Sequence, residues 1–71
     1  MDIECSFQPG DIVSLNDRGY KYWKNEGEEQ LKKNEEAKVI SYERDGEYFW
    51  IEVEYRDEVN NYPDYDLKKV K

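Results

Sequence analysis

Short runs of alternating apolar and polar residues, separated by turn-forming residues, make up most of this sequence. Pro9-Gly10 is a turn signal, and the β-branched run at residues 11–15 that follows it predicts a first strand. Residues 16–19 then read as a loop. Tyr20 and Tyr22 lie two positions apart, which fits either a second short strand or an ordered loop.

Residues 26–34 are the helix candidate. Asn25 suits the N-cap, and Glu28 lies three residues further on, as in a capping box. Two Glu–Lys pairs with i,i+4 spacing have the acid first, which is the better orientation for a helix. Leu31 is the sole large apolar residue of the segment, so we expect it to anchor a short helix to the sheet.

The strongest local signal is a hairpin around Asp45-Gly46, between extended runs at residues 37–43 and 47–56. A two-residue turn there would place apolar side chains opposite charged ones on both faces. A three-residue turn with its glycine left-handed pairs Val39 with Ile51 and matches the two strands by residue type. We therefore predict the three-residue turn. Its core face comprises Ala37, Val39, Phe49, Ile51, Val53 and Tyr55.

The last part of the chain predicts a further turn and a final strand. Residues 59–61 are expected to turn the chain, and residues 62–66 to form an extended piece followed by one tight turn. Asp64 and Asp66 are interpreted as capping residues of that turn. Residues 67–70 then form the last strand.

About five short strands, with one short α-helix inserted between two of them, predict a mainly β fold, a small SH3-like barrel. Closure of such a barrel protects the sheet edges that a small β domain otherwise exposes. A length of 71 residues predicts a single SH3-like domain over residues 1–71.

Four segments carry a more specific resemblance. They are GDIV at residues 10–13, AKVI at 37–40, WIEVEY at 50–55 and YPDYDL at 62–67. Together they resemble SH3-like barrels of small phage proteins, and the length and overall pattern resemble the YorP family of short prophage proteins. This resemblance implies five strands with one inserted helix, and a prophage origin. The family has no assigned activity, so the resemblance carries over no functional residue.

Composition narrows the classes of function. The net charge is −7, and acids and bases are mixed along the chain. A negative surface repels phosphate backbones and anionic lipids, so we expect neither nucleic acid nor membrane as a partner. With no histidine and with Cys5 alone, we predict that the protein is not an enzyme and binds no metal or cofactor. The chain has neither the start of a signal peptide nor an apolar run long enough to span a membrane, so the expected location is the cytoplasm of a bacterial host.

Aromatic residues, 15% of the sequence, carry the leading functional hypothesis. In the predicted register, Ile40, Tyr42, Tyr48 and Trp50 share the face opposite the core. That face is covered by the short helix, covered by the segment at residues 20–23, or exposed as a partner site. SH3 domains hold proline-rich peptides on such aromatics, and related barrels hold methylated amines. This chain lacks the ALYDY-type segment and the paired tryptophans of peptide-binding SH3 domains. Burial of most of these aromatics is the competing interpretation, because a small domain needs them for its core.

Two functional hypotheses follow. The first is a non-enzymatic protein-interaction module that binds a host protein. Its candidate contact residues are Tyr20, Tyr22, Trp23, Tyr48 and Trp50. The second is an acidic decoy that imitates nucleic acid and inhibits a host nucleic-acid-binding protein. Its candidate residues are Glu43, Asp45, Glu47, Glu52, Glu54, Asp57 and Glu58.

Overall fold

The computed structural model describes residues 4–26, 31–32 and 34–70. The strands of this part of the chain are β1 (Ile12–Leu15), β2 (Ala37–Asp45), β3 (Tyr48–Tyr55), β4 (Glu58–Pro63) and β5 (Leu67–Lys69). These five strands form one antiparallel sheet in the order β4-β3-β2-β1-β5. Within the same residues, the short helix α1 (Asp17–Trp23) lies between β1 and β2, and a 3₁₀ turn (Asp64–Asp66) joins β4 to β5. The predicted mainly β, SH3-like barrel fold with one inserted helix is confirmed.

The core is built from alternate residues of the strands. On β2 and β3 the predicted core face is confirmed, because its aliphatic and phenylalanine side chains are buried and Tyr55 is half-buried against them. Val13 and Leu15 of β1, with Tyr62 of β4, add to the same cluster. Each buried Val, Leu, Ile or Phe side chain of this cluster stabilises the fold by about 1.5–3 kcal/mol relative to an exposed position. One core therefore joins the successive strands.

The turn of the β2–β3 hairpin differs from the predicted three-residue turn at residues 44–46. The turn residues are Gly46 and Glu47, and Asp45 lies opposite Tyr48. Gly46 has a φ of 66°, which places it in the left-handed region as expected. Glycine at the first position of a two-residue loop suits the right-handed twist of the strands. The glycine was identified correctly, but its place within the turn was wrong.

A β-bulge at Ile40 accounts for the second difference in register. Val39 lies opposite Val53 and not opposite Ile51, whereas beyond the bulge Tyr42 lies opposite Ile51. A single extra residue exchanges the two faces of the strand that follows it. The bulge therefore moves Tyr42 off the predicted outer aromatic face, and its ring contacts Phe49 with 5.6 Å between ring centroids.

The helix forms earlier in the chain than predicted. Residues 17–23 are helical, whereas a loop and an extended or looped piece were expected there. Asn16 caps the helix, and Tyr20 and Trp23, three positions apart, both pack against the core. A cap and two core contacts outweigh i,i+4 ion pairs, which contribute only about 0.2–0.5 kcal/mol each.

The predicted helix at residues 26–34 is wrong wherever its residues are described. Glu26, Leu31, Lys32 and Asn34 are not helical, and Asn34 has a φ of 69°. Residues 27–30 and 33 lie outside the described residues. The expected anchoring by Leu31 is nevertheless confirmed, because Leu31 is buried. Its backbone N–H donates a hydrogen bond to the hydroxyl of Tyr62, with 3.0 Å between the two heavy atoms.

Residues 59–61, predicted to turn the chain, instead lie inside β4. The turn before β4 is at Arg56 and Asp57, whose φ angles are 52° and 65°. Two-residue loops with positive φ at both positions usually carry Asn-Gly or Asp-Gly, and Arg-Asp gives no such signal. The predicted tight turn and last strand at the end of the chain are confirmed by the 3₁₀ turn and β5.

Candidate functional site

Specific hydrogen bonds join α1 to the 3₁₀ turn. The backbone N–H of Asn16 donates to the carbonyl of Asp66 (3.0 Å), and its side-chain amide donates to the carbonyl of Tyr65 (2.9 Å). The other side-chain atom, Oδ1, accepts from the N–H of Gly19 (2.8 Å) and so caps the helix. A Cβ atom at Gly19 would overlap the carbonyl oxygen of Asp66. The helix therefore lies directly on the turn, at a distance that only glycine permits.

The carboxylate of Asp66 is buried at this junction, with 3% of the residue exposed. The indole Nε1 of Trp23 donates to its Oδ2 (3.1 Å), and the Nε atom of Arg18 lies 3.7 Å from its Oδ1. No described residue donates a hydrogen bond to Oδ1. Buried carboxylates are normally paired and hydrogen-bonded, so this one is only partly satisfied.

A groove of about 170 Å³ opens beside the junction. Among the described residues, its aromatic lining consists of Tyr22 and Trp23 from α1, Trp50 from β3 and Tyr65 from the 3₁₀ turn. Pro63 and the Arg18–Asp66 pair complete the lining. Tyr22 is 60% exposed and Tyr65 is 46% exposed, so large apolar surfaces face solvent here. We call this site the aromatic groove.

Asp45, at the end of β2, holds the aromatic side chains of β3. Its Oδ2 accepts a hydrogen bond from the indole Nε1 of Trp50 (3.0 Å) and from the hydroxyl of Tyr48 (3.2 Å). Loss of hydration and then this hydrogen bond raise the pKa of Tyr48 above that of a free tyrosine. The ring of Tyr48 also lies edge-on to Trp50 (5.8 Å) and Tyr65 (5.6 Å). The hairpin thus fixes one wall of the aromatic groove.

The predicted contact residues separate into three groups. Tyr22, Trp23 and Trp50 line the aromatic groove. Tyr48 packs against two of its rings without lining it. Tyr20 is half-buried against the core, and the Nζ of Lys24 lies 5.8 Å from its ring centroid.

Sequence reasoning missed four of the described groove residues, which are Arg18, Pro63, Tyr65 and Asp66. Asp66 was interpreted as a cap of its own turn, but its carboxylate bonds Trp23, which lies 43 residues earlier in the chain. No local pattern marks a partner at that separation. Tyr65 lies in a segment that was correctly interpreted as a turn, and nothing in its neighbours indicates that its ring meets that of Tyr48.

The acidic residues of the decoy hypothesis are distributed over both hairpins and the strands between them. Glu43 lies opposite Trp50, and Glu54 lies opposite the basic Lys38. Asp45 is bonded to the aromatic side chains of β3. Glu52 lies within the sheet, Glu47 is in the first turn, and Asp57 and Glu58 are at the second turn. Of this acidic set, only Glu54 lies opposite a basic residue in the described strand pairs.

The lone cysteine, possible metal ligands and possible membrane spans were the other features that the sequence raised. Cys5 is buried, and loss of hydration raises the pKa of its thiol, so the thiol stays protonated at neutral pH. The part of the chain that the structure describes contains no group of three or more His, Cys, Asp or Glu residues placed to hold a metal ion. It also contains no helix long and apolar enough to cross a membrane.

No protein-family model matches the chain, and no curated protein and no solved structure shows significant similarity to it. The resemblance to the YorP family stays a prediction.

Proposed function

We propose that this protein is a non-enzymatic interaction module that binds an extended segment of a protein partner in the aromatic groove. The observation that carries the proposal is the exposure of Tyr22 and Tyr65 beside the indoles of Trp23 and Trp50. Aromatic side chains are enriched at protein interfaces, where they supply much of the binding energy. A host protein as partner, a prophage origin and action in the cytoplasm belong to the same proposal and rest on the sequence.

The rigidity of the groove supports this proposal. The indole of Trp23 is hydrogen-bonded to Asp66, and the indole of Trp50 is hydrogen-bonded to Asp45. Both rings therefore stand in fixed orientations before any partner arrives. A side chain that is already ordered loses little conformational entropy on binding, which otherwise costs about 0.5–1.5 kcal/mol for each side chain.

The size of the groove favours a peptide segment over a small molecule. Sites for drug-sized ligands and cofactors usually enclose about 300–1,000 Å³. The aromatic groove has about 170 Å³ and is open to solvent. That volume suits one or two side chains of a segment whose backbone runs across the surface.

Two exposed tyrosines of matched type provide the test. Tyr22 is 60% exposed and lines the groove, whereas Tyr42 is 40% exposed and does not. Tagged wild-type protein, Tyr22→Ala and Tyr42→Ala would be used for affinity capture from a bacterial lysate, followed by titration of the captured protein. We expect Tyr22→Ala to weaken binding at least tenfold, equivalent to about 1.4 kcal/mol, and Tyr42→Ala to leave it within twofold. Equal losses in both variants would contradict the groove as the binding site.

Salt dependence separates this function from the decoy alternative. A complex made through many carboxylates should weaken steeply as ionic strength rises, because exposed charges are screened over about 10 Å at 0.1 M salt. A complex that depends on the aromatic groove should change far less over the same range. Steep weakening by salt, together with no effect of Tyr22→Ala, would favour the decoy and contradict the proposal.

A further inference from the structure

The guanidinium group of Arg18, a cation of the protein itself, lies in the aromatic groove. The guanidinium carbon of Arg18 lies 4.6 Å from the centroid of the Tyr65 ring. The same side chain reaches toward Asp66, whose Oδ1 is 3.7 Å from its Nε. This arrangement combines a cation–π contact with an ion pair. The groove thus has a place for a guanidinium group, defined by one aromatic face and one carboxylate oxygen.

Arg18 fills this place loosely. Its side chain is 73% exposed, whereas that of Asp66 is 5% exposed. The separation of 3.7 Å is well beyond the roughly 2.7–2.9 Å of a charge-assisted hydrogen bond. The buried Oδ1 of Asp66 consequently has no hydrogen-bond donor among the described residues. A guanidinium that came within hydrogen-bonding distance of this oxygen would satisfy it better than Arg18 does.

We propose that Arg18 occupies, in the free protein, the position that an arginine side chain of the partner takes in the complex. This inference rests on the proposed function and names the chemistry of the partner: an extended segment that carries arginine. Binding then exchanges one guanidinium for another on Tyr65 and Asp66. Arg18, which is mostly exposed, moves into solvent.

The charge of the molecule supports a cationic partner. The chain carries 18 acidic and 11 basic residues, a net charge of −7, so its field attracts positively charged segments during encounter. Arginine suits the site better than lysine. Its planar guanidinium stacks on an aromatic ring while its N–H groups point at a carboxylate, whereas an ammonium is a compact, strongly hydrated charge.

Arg56 provides a matched control for Arg18. Its guanidinium carbon lies 5.2 Å from the centroid of the Tyr55 ring, and its Nη2 lies 3.7 Å from Oε2 of Glu35. Its side chain is 77% exposed, and it does not line the aromatic groove. Arg18→Ala and Arg56→Ala therefore remove the same charge and the same kinds of contact. They differ in whether the groove loses its cation.

The test measures binding of a short peptide of alternating alanine and proline with a central arginine. Proline keeps this probe extended. A second peptide carries glutamine in place of the arginine. Both tryptophans of the chain line the groove, so their fluorescence reports binding. We expect the arginine peptide to bind wild-type protein more tightly than the glutamine peptide, and Arg18→Ala to strengthen its binding about fivefold. Arg56→Ala should change it less than twofold, and Asp66→Asn should abolish the difference between the peptides.

Four results would overturn the inference. The first is that Arg18→Ala weakens or leaves unchanged the binding of the arginine peptide. The second is an equal gain in Arg56→Ala, which would show a general effect of net charge. The third is that neither peptide binds any variant. Binding that is lost in Tyr22→Ala but is equal for both peptides would overturn the inference while leaving the proposed function intact. The proposed function itself would be contradicted by a different result, in which a captured partner binds Tyr22→Ala as tightly as it binds wild-type protein.

Discussion

The two tryptophans of this protein make the same hydrogen bond in two different settings. Trp23 donates to Asp66 over 3.1 Å, and Trp50 donates to Asp45 over 3.0 Å. The first pair is separated by 43 residues in the sequence, and the second pair by five. Asp66 is buried, whereas Asp45 is exposed. Similar distances therefore do not imply similar effects on stability.

Burial and chain separation decide what each bond does. Water can replace an exposed partner of Trp50, so loss of that bond costs little. At the junction of α1 with the 3₁₀ turn, loss of the Asp66 carboxylate leaves the partly buried indole N–H of Trp23 without its hydrogen-bond acceptor. The junction bond also joins two segments that are distant in the chain. The pair at the hairpin orients a ring, and the pair at the junction helps to hold the fold together.

The largest loss of stability is expected from adding a side chain at Gly19, where α1 contacts the 3₁₀ turn. Gly19→Ala would place a methyl group against the carbonyl oxygen of Asp66, so the helix and the turn must separate. We expect the free energy of unfolding to fall by about 3 kcal/mol. Gly46→Ala is the control, because nothing lies within 4 Å of its Cβ and the cost is that of a positive φ alone, about 1–2 kcal/mol. Urea denaturation measures both, and a smaller loss in Gly19→Ala would show that the junction yields easily.

The second-largest loss of stability is expected from removing the carboxylate of Asp66, and removal of the Asp45 carboxylate provides the comparison. Asp66→Ala removes the acceptor of Trp23 and the partner of Arg18, and we expect it to lower the free energy of unfolding by about 2 kcal/mol. Asp45→Ala removes an exposed acceptor and should cost no more than about 0.5 kcal/mol. Thermal and urea denaturation of both variants check this order. Equal losses would mean that burial does not distinguish the two pairs.

The contrast between local contacts and contacts of distant segments also explains which features the sequence could predict. Alternation along residues 37–55 reports which side chains face the core, and the core face of β2 and β3 was predicted correctly on that basis. The register was not, because a bulge at Ile40 leaves no local mark and glycine fits more than one position in a hairpin turn. The helix was misplaced for a similar reason. Gly19 reads as a loop residue, and its real role depends on contact with Asp66, far along the chain.

The groove was therefore predicted only in part. Tyr22, Trp23 and Trp50 were selected because exposed or outward-facing aromatics suggest a partner site. Tyr65 and the charged pair of Arg18 and Asp66 enter through tertiary contacts that pack α1 against the 3₁₀ turn. Local sequence patterns thus identified three of the four aromatic residues described in the groove, and neither of its charged residues.

The smallest effect concerns the ionisation of Tyr48 at the hairpin. Loss of hydration and the Asp45 carboxylate, which accepts its O–H, raise the pKa of Tyr48 above the usual value of about 10. Because the folded state favours the neutral phenol, its contribution to stability is present below the unfolded pKa and is lost as pH rises through the folded pKa.

Asp45→Asn removes the negative charge but retains an oxygen that accepts the hydrogen bond from Tyr48, so the pKa of Tyr48 should fall toward its ordinary value. The pKa of Tyr62 is raised mainly by burial, so it should not change in this variant. An NMR titration of the tyrosine ring carbons at alkaline pH follows both residues at once. An unchanged pKa of Tyr48 would mean that lost hydration alone perturbs it, and that Asp45 only orients the rings. The ring of Tyr62 meets that of Trp23 edge-on, with 5.2 Å between centroids. A change at Tyr62 as well would therefore show that the hairpin is coupled to the junction, which would contradict the distinction between a local pair and a tertiary one.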